Sequence, residues 1–163
     1  MEKRDYILND AQIRQRVKRI AYEILENNLN EKVVLIGGVG QRGGLLAELI
    51  AKEVDSLKEI KTKLFSIVTL IGKVKLSVDT KELKDQTIII VDDVLNTGKT
   101  LMDILVVVAS NEPKRVETCF LAQRSHRKFP VKGDYVGISM ATTFQEHIYF
   151  DASNPNKLSV YLE

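Results

Sequence analysis

The chain has 163 residues, of which 44% are hydrophobic and 28% charged, and its formal net charge is +2. This length and apolar content fit one compact domain and argue against a disordered chain. The near-neutral charge does not predict a general nucleic-acid surface, which needs clustered basic side chains. The single cysteine, Cys119, excludes an intramolecular disulfide and a cysteine-rich zinc site, and its apolar neighbours predict a buried side chain.

The N-terminal letters M-E-K-R-D-Y are not followed by an apolar h-region, so no secretory signal is expected. No apolar run approaches the ~20 residues that span a bilayer. We therefore expect a cytoplasmic protein that does not enter a membrane.

The spacing of apolar residues predicts helices and strands that alternate along the chain. Asn9 or Asp10 can cap a first helix, whose apolar positions recur at helical spacing as far as Leu25, and the stretch 27–30 ends it. A strand at 32–36, a glycine-rich loop at 37–44 and a helix with a buried stripe from Leu45 to Val54 follow. The remaining predicted elements are strands at 63–70 and 87–91, a helix from 101 that stops before Pro113, strands at 116–122 and 135–139, and short strands or a closing flap at 147–150 and 158–162.

Strands that are continuous apolar runs and alternate with helices predict an α/β fold, with a mostly parallel sheet covered on both faces. Ligands of such sheets bind outside the carboxyl ends of the strands. Two unusual stretches, Gly37–Gly44 and Asp92–Thr100, are predicted at those ends. They are therefore the candidates for a binding site.

The first of these stretches contains Gly38-Val39-Gly40-Gln41-Arg42-Gly43, which matches G-x-G-x-x-G between a predicted strand and a predicted helix. That is the context of a dinucleotide-binding turn. The next strand, however, lacks the acid that would hold the ribose hydroxyls, since the first acid after it is Asp79. Glycines can also simply serve a tight turn. Five glycines in eight residues, with Arg42 among them, favour close approach of an anion, and NAD binding remains the weaker alternative.

The second stretch, I-I-I-V-D-D-V-L-N-T-G-K-T, ends like a nucleotide-binding P-loop, but that loop needs a glycine where this chain has Asp93. The turn Asn96–Thr100 enters a helix, whose N–H groups and dipole suit a terminal phosphate. The carboxylates of Asp92 and Asp93 can accept hydrogen bonds from two vicinal hydroxyls that lie next to this phosphate in the same ligand. The stretch therefore predicts a ribose 5-phosphate. The carboxylates would also stabilise positive charge growing at C1. In the alternative, the acids only cap the helix.

With its apolar strand, two acids and T-G-x-T turn, this stretch resembles the signature of type I phosphoribosyltransferases. The letters Q-I-R-Q-R-V-K-R-I-A-Y-E-I-L-E-N-N near the start and L-A-Q-R-S-H-R-K-F-P-V-K-G-D-Y-V-G near the end are similar, more narrowly, to bifunctional pyrimidine-operon attenuation regulators and uracil phosphoribosyltransferases. The resemblance covers most of the chain. It implies a single phosphoribosyltransferase domain over residues 1–163 and a homodimer.

The resemblance also implies an activity: transfer of ribose 5-phosphate from 5-phosphoribosyl 1-diphosphate to a nucleobase, with uracil as the first choice, Mg²⁺ as the cofactor and pyrophosphate as the product. In that family pattern the ribose hydroxyls would lie on Asp92 and Asp93, and the 5-phosphate on Asn96, Thr97, Gly98, Lys99 and Thr100. Pyrophosphate would lie on Gly38, Val39, Gly40, Gln41 and Arg42. The expected catalytic residues are Asp92, Asp93 and Arg42, and no residue is expected to bind the metal directly. The nucleobase region would comprise Arg124, His126, Tyr135, Val136 and Gly137.

Three departures from the family pattern stand out. Gln123 and Ser125 replace an acid and a glycine near the base, and the glycine-rich loop is one residue longer. Only about 71–84 connects the second and third predicted strands, where the family carries a long mobile hood. A closed hood excludes water from the reactive cation that forms during transfer. A shortened hood is therefore expected to reduce turnover more than ligand binding.

A non-catalytic regulator that binds a nucleotide and an mRNA leader is the second hypothesis. The short hood and the basic first helix motivate it, with Arg14, Arg16, Lys18 and Arg19 as candidates for phosphate contact. Arg14 and Lys18 lie four residues apart, so they share one helical face. In the alternative, these residues and the basic stretch 124–127 are only a solvated surface.

Overall fold

The computed structural model describes residues 4–143 and 145–163, so the first three residues of the N-terminal stretch considered above lie outside the described part. The elements in chain order are β1 (Asp5–Leu8), α1 (Asp10–Asn27), β2 (Val33–Val39), α2 (Gly40–Ser56), β3 (Lys61–Leu70), β4 (Lys73–Leu76), a 3₁₀ turn (Thr80–Leu83), β5 (Thr87–Leu95), α3 (Lys99–Ala109), β6 (Arg115–Arg124), β7 (Tyr135–Met140), β8 (Ile148–Asp151) and β9 (Ser159–Leu162). None of these helices is long and apolar enough to cross a membrane.

Six strands form the main sheet in the order β4-β3-β2-β5-β6-β7, and every neighbouring pair is parallel except β3 and β4. The other three strands form a small antiparallel sheet in the order β1-β9-β8. The predicted α/β fold with a mostly parallel sheet is thus confirmed. The two stretches near the C-terminus, predicted as short strands or a flap, are strands of the small sheet.

Because the central strands are covered on both faces, their side chains alternate between two hydrophobic cores. Ile89 and Val91 of β5 pack into the core that contains α1 and α2. Ile88 and Ile90 pack into the core that contains α3. Cys119 is fully buried in the first core, which confirms its prediction as a small buried side chain.

The N-terminus of α1 is closed by a reciprocal pair of hydrogen bonds. Asn9 Oδ1 accepts the N–H of Gln12 at 2.9 Å, and Gln12 Oε1 accepts the N–H of Asn9 at 3.0 Å. This capping box satisfies two backbone donors and fixes the start of the helix. Of the two caps predicted from the sequence, the structure uses Asn9.

Two basic side chains of α1 are held by the fold. Arg14 donates to Asp10 at 2.8 Å and to the Pro155 carbonyl at 2.7 Å. Arg19 donates to the carbonyls of Val136 and Gly137 at 2.9 and 3.0 Å, on the edge strand β7. Two of the four α1 residues considered for RNA contact therefore already have partners within the chain.

The predicted glycine-rich loop at 37–44 is not a loop. Its first residues complete β2, and α2 begins directly at Gly40, which has a φ of +60°. A Cβ on Gly38 would lie 2.6 Å from the Cα of Gly44, so the missing side chain allows the first turn of α2 to contact the strand. The sequence favoured a loop because glycine is a poor helix former, and this packing overrides that preference.

The segment Ile71–Lys84, interpreted as a shortened hood, contains regular structure. Ile71 and Gly72 form a two-residue hairpin turn with φ values of 49° and 70°, as in a type I′ turn. The strand β4 follows, and then the 3₁₀ turn. Neither β4 nor β1 was predicted, because strands of four residues without a continuous apolar run resemble loops in sequence.

Candidate functional site

Asp92 and Asp93 lie near the carboxyl end of β5, which continues to Leu95 and does not stop before the acids as predicted. The N–H of Asp93 donates to Asp92 Oδ1 at 2.8 Å. Burial, and next the negative charge of Asp93, raise the pKa of Asp92 to about 8. The two side chains thus form a closely spaced acidic pair in which Asp92 takes up a proton more readily than an ordinary aspartate.

The first turn of α2 lies directly against this pair. A Cβ on Gly43 would lie 2.8 Å from the Val91 carbonyl oxygen and 3.1 Å from Asp92 Oδ1. Gly43, like Gly38, is therefore required by packing. The number of glycines, taken alone, no longer argues for an anion, since close contact between helix and strand accounts for these two. Val39 also has a packing role, since its side chain is buried in the second core.

Arg42 and Asp93 connect the two predicted stretches. Arg42 Nη1 lies 3.7 Å from Asp93 Oδ2, and the side chain of Arg42 is about half exposed. The preceding residue, Gln41, is also exposed on the first turn of α2. A cationic group and an amide therefore stand beside the acidic pair.

Two helix N-termini open at the same edge of the sheet. β2 and β5 are parallel neighbours, paired from Leu35 with Ile88 to Gly38 with Val91, and α2 and α3 follow them. The N-cap residues, Val39 and Gly98, supply no side-chain hydrogen bond to either helix. Backbone N–H groups and the positive ends of two helix dipoles thus flank the acids, as suits two anionic groups of one ligand.

The turn before α3 is held by the loop after β6. The N–H groups of Lys128 and Phe129 donate to the Thr97 carbonyl at 3.0 and 3.1 Å. Gly98 has a φ of +87°, and a Cβ there would lie 2.5 Å from Val131 Cγ2, so only glycine fits. Lys99, at the start of α3, is paired with Asp103 at 2.5 Å, and Thr100 is exposed on the first turn of the helix.

A cavity of about 490 Å³ lies beside this turn. Asn96 and Thr97 line it from one side, and Arg124, His126 and Thr142 line it from the ends of β6 and β7. The structure thus brings two residues of the predicted nucleobase region next to the predicted phosphate turn. Thr142 was not predicted, although its position just beyond the carboxyl end of a strand was a usable signal.

The other three residues of the predicted nucleobase region lie apart from this cavity, in the first half of β7. Tyr135 is buried, and its hydroxyl donates to Glu117 Oε2 at 2.9 Å, towards the amino end of the sheet. The carbonyls of Val136 and Gly137 accept from Arg19. The structure thus does not bring these three residues to the cavity, and their contact with the base stays a prediction.

Within residues 4–143 and 145–163, no group of three or more His, Cys, Asp or Glu side chains could hold a metal ion alone. Mg²⁺ is commonly bound by one or two carboxylates together with substrate phosphates and water. Asp92 and Asp93, next to two helix N-termini, fit that mode, and the described residues do not provide an all-protein metal site.

Comparison with protein families gives one match over most of the chain: residues 3–152 fit the model of the phosphoribosyl transferase domain. The Bifunctional protein PyrR of Streptococcus agalactiae serotype Ia is 34% identical over 158 residues, which cover 90% of this chain and 88% of that protein. The Bifunctional protein PyrR of Alkaliphilus metalliredigens is 31% identical, with 90% and 87% covered.

Two solved structures share the fold. The hypoxanthine phosphoribosyltransferase of Trypanosoma cruzi has a TM-score of 0.78 at 18% identity, with 96% of this chain and 95% of that chain covered. A hypoxanthine-guanine phosphoribosyltransferase of Bacillus anthracis has a TM-score of 0.78 at 22% identity, with 99% of each chain covered. At such identities the likeness shows the fold alone.

Proposed function

Since this chain belongs to the phosphoribosyl transferase domain family and is similar to the bifunctional PyrR proteins, we propose that it transfers ribose 5-phosphate from 5-phosphoribosyl 1-diphosphate to uracil. The observation that carries the proposal is an acidic pair flanked by two helix N-termini that follow neighbouring parallel strands and whose N-cap residues supply no side-chain hydrogen bond. The donor has anionic groups at both ends of a ribose diol, and this arrangement complements it.

Each part of the donor has a matching part of the site. The 5-phosphate would accept N–H donors from the turn Asn96–Thr100. The ribose hydroxyls would bond to Asp92 and Asp93, and the diphosphate would lie on Gly38–Arg42. Because β2, β5 and β6 are neighbours in that order, diphosphate, ribose and base follow one another across the edge of the sheet.

In the proposed reaction the bond from C1 to the diphosphate oxygen breaks, a bond from C1 to a ring nitrogen of uracil forms, and that nitrogen loses its proton. Positive charge grows at C1 during this exchange, and the carboxylate of Asp93 under the ribose stabilises it. Arg42 would balance the negative charge of the departing diphosphate. Asp93, with Asp92 beside it, would face Mg²⁺ carried by the diphosphate, which would supply further positive charge to the leaving group.

The cavity beside Asn96 is the proposed position of the base. Arg124 and His126 line it and can donate to the carbonyl oxygens of uracil. Gln123 does not contribute there: its side chain donates to Ser139 Oγ at 3.0 Å and accepts the N–H of Gly133 at 3.3 Å. Gln123, which replaces the family's acid, thus connects the loop after β6 to β7 through hydrogen bonds.

The hairpin β3–β4 occupies the place of the family's hood. Its two-residue turn is short, so we expect donor binding to be retained and turnover to be slow. The homodimer and the cytoplasmic location expected from the sequence accompany this proposal.

Pyrophosphate release from the diphosphate sugar, with Mg²⁺ and a panel of nucleobases, tests the activity. We expect release that depends on uracil and falls at least ~100-fold in Asp93→Asn, since a charge that acts in the transition state is lost. Asp85→Asn is the matched control, because Asp85 has a φ of +57°, which asparagine also adopts. Tight sugar binding without release for any base would remove the transfer proposal.

A nucleotide-dependent RNA-binding regulator is the second candidate. One observation favours the segment after β6, and not α1, as its RNA-binding surface. Arg14 and Arg19 are bonded within the chain, whereas Lys128 and Lys132 line adjoining cavities after β6. Arg127 lines both cavities and donates to the Arg124 carbonyl at 2.9 Å. Such a basic cluster can contact phosphates of an mRNA leader.

Filter binding of a pyrimidine-operon leader RNA at two salt concentrations, with and without UMP, tests this candidate. We expect Lys132→Gln to weaken binding and to reduce its salt dependence, and Lys18→Gln, on α1, to leave both unchanged. Absent or salt-insensitive binding argues against the regulator.

A further inference from the structure

One side of β3 leaves a row of apolar side chains uncovered. Phe65 and Ile67 are buried and pack in the second core. In contrast, Leu64, Val68 and Leu70 are 45%, 50% and 68% exposed. Since the side chains of a strand alternate between its two sides, these three lie together on the side opposite the second core. Such a row is uncommon on the surface of a monomer and indicates a site of association.

The apolar row lies beside α2. Leu64 is paired with Ile36, which packs in the first core, so the row is on the side of the sheet that α1 and α2 cover. Asp55, near the end of α2, accepts from the N–H and the hydroxyl of Thr62 at 2.8 and 3.0 Å, so this flank of the helix faces β3. Glu48 is exposed and lies about two turns before Asp55 on the same flank. An acidic side chain therefore borders the row on its α2 side.

Two lysines border the row on its other side. In the antiparallel pair of β3 and β4, Val68 is opposite Lys75 and Leu70 is opposite Lys73. Directly opposite residues project from the same face of a sheet, and both lysines are exposed. Within the described residues, neither these lysines nor Glu48 form a salt bridge. This surface, the β3 face, thus has an apolar centre with positive charge on one side and negative charge on the other.

We propose that the β3 face joins two copies of this chain in a two-fold dimer, and so gives the expected homodimer its interface. A two-fold axis through the apolar row places the rows of the two copies against each other. It also brings Lys75 of each copy to Glu48 of the partner subunit. Gly44, about one turn before Glu48, leaves room for an opposing side chain, because an added Cβ there would meet nothing within 4 Å. A surface with opposite charges on its two sides is complementary to a rotated copy of itself, which favours a second copy as the occupant.

Sedimentation equilibrium of the full chain, without ligands, tests the proposal. We expect a dimer, and Val68→Asp should raise its dissociation constant at least ~100-fold, because each copy then buries a charge in an apolar contact. Val106→Asp is the matched control, since Val106 is an exposed valine on α3, outside the β3 face, and it should leave the dissociation constant unchanged. Circular dichroism checks that both variants are folded. A monomer at every concentration, a dimer that Val68→Asp leaves intact, or a dimer that Val106→Asp dissociates overturns the proposal.

An exchange of charges tests the two-fold arrangement. Lys75→Glu should raise the dissociation constant about 10-fold, because it brings like charges together twice in each dimer. Adding Glu48→Lys should restore the original value to within ~3-fold, whereas adding Glu26→Lys, at an exposed position of α1, should not. No recovery with Glu48→Lys, or equal recovery with Glu26→Lys, overturns the proposal. Because no substrate is present, these outcomes do not depend on whether the chain transfers ribose.

Discussion

The guanidinium of Arg42 lies 3.7 Å from the carboxylate of Asp93, so one ion pair joins the first turn of α2 to the end of β5. The arginine is about half exposed, whereas Asp93 is mostly buried. An entering diphosphate can therefore attract the guanidinium without any change in the strand. An anion that binds at the first turn of α2 would therefore change the electrostatic interaction between Arg42 and the acidic pair.

Replacing Arg42 by glutamine should weaken binding of 5-phosphoribosyl 1-diphosphate about 10- to 100-fold. A hydrogen bond to a charged group contributes about 1.5–3 kcal/mol, and the glutamine keeps only a neutral donor. Calorimetry with Mg²⁺ present measures the affinity. Lys52→Gln makes the same change of charge near the other end of α2, and equal affinities for the two variants would contradict the assignment.

Gly43→Ala and Gly44→Ala should differ although they are neighbours. A Cβ on Gly43 meets the Val91 carbonyl at 2.8 Å, while a Cβ on Gly44 meets nothing within 4 Å. We expect Gly43→Ala to lower the free energy of unfolding by about 1–3 kcal/mol and to weaken donor binding. Gly44→Ala should raise the free energy of unfolding by up to about 1 kcal/mol through helix propensity. Urea denaturation of both variants checks the pair, and similar values would show that α2 does not lie against the acids.

The raised pKa of Asp92 predicts that stability falls as pH rises. Between the ordinary aspartate pKa of 3.8 and about 8, the folded chain keeps a proton that the unfolded chain has lost. The free energy of unfolding therefore decreases through that window. In Asp92→Asn the decrease should be smaller, by roughly 2 kcal/mol between pH 5 and 8, which is less than the full value for an isolated group because Asp93 and Arg42 share the charge. If urea denaturation gives the same change in the free energy of unfolding with pH for both proteins, the pKa of Asp92 is not raised.

Tyr135→Phe separates a structural role from a role in binding the base. The hydroxyl donates to Glu117, which also accepts from Asn28 at 3.0 Å. Its loss should lower the free energy of unfolding by about 1–2 kcal/mol, because a buried carboxylate loses one donor. The KM for uracil should stay the same. A raised KM with unchanged stability would restore Tyr135 to the nucleobase region.

Ile71→Asn should stabilise the chain. Ile71 has a φ of 49° and is 96% exposed, so a β-branched residue occupies a left-handed turn position with almost no packing against the described residues. Asparagine before glycine suits a type I′ turn, and the expected gain is about 1 kcal/mol. Thermal denaturation measures it. An unchanged or lower midpoint would contradict the turn assignment.

Local patterns were sufficient to predict much of the fold and part of the site. The five parallel strands were predicted because each contains a run rich in apolar residues, and Asp92 and Asp93 stood out because acids at the end of such a run are unusual. The start of α2 at Gly40 was missed because the contact between Gly38 and Gly44 outweighs the poor helix propensity of glycine.

The remaining differences concern contacts between separate elements of the fold. Arg19 reaches Val136, and Tyr135 reaches Glu117 across the sheet. No spacing along the chain indicates that a basic residue on a helix will bond to a strand more than a hundred positions away. Sequence reasoning therefore placed Arg19 among the candidates for RNA phosphate contact and Tyr135 in the nucleobase region.

The bonds from Arg19 to β7 limit how copies of this chain can associate. One edge of the main sheet has carbonyls already occupied by a guanidinium, and the other edge, β4, is four residues long and carries two lysines. Both are features that block the addition of a further strand. Two copies would therefore associate through side-chain surfaces, and the main sheet would not continue from one copy into the other.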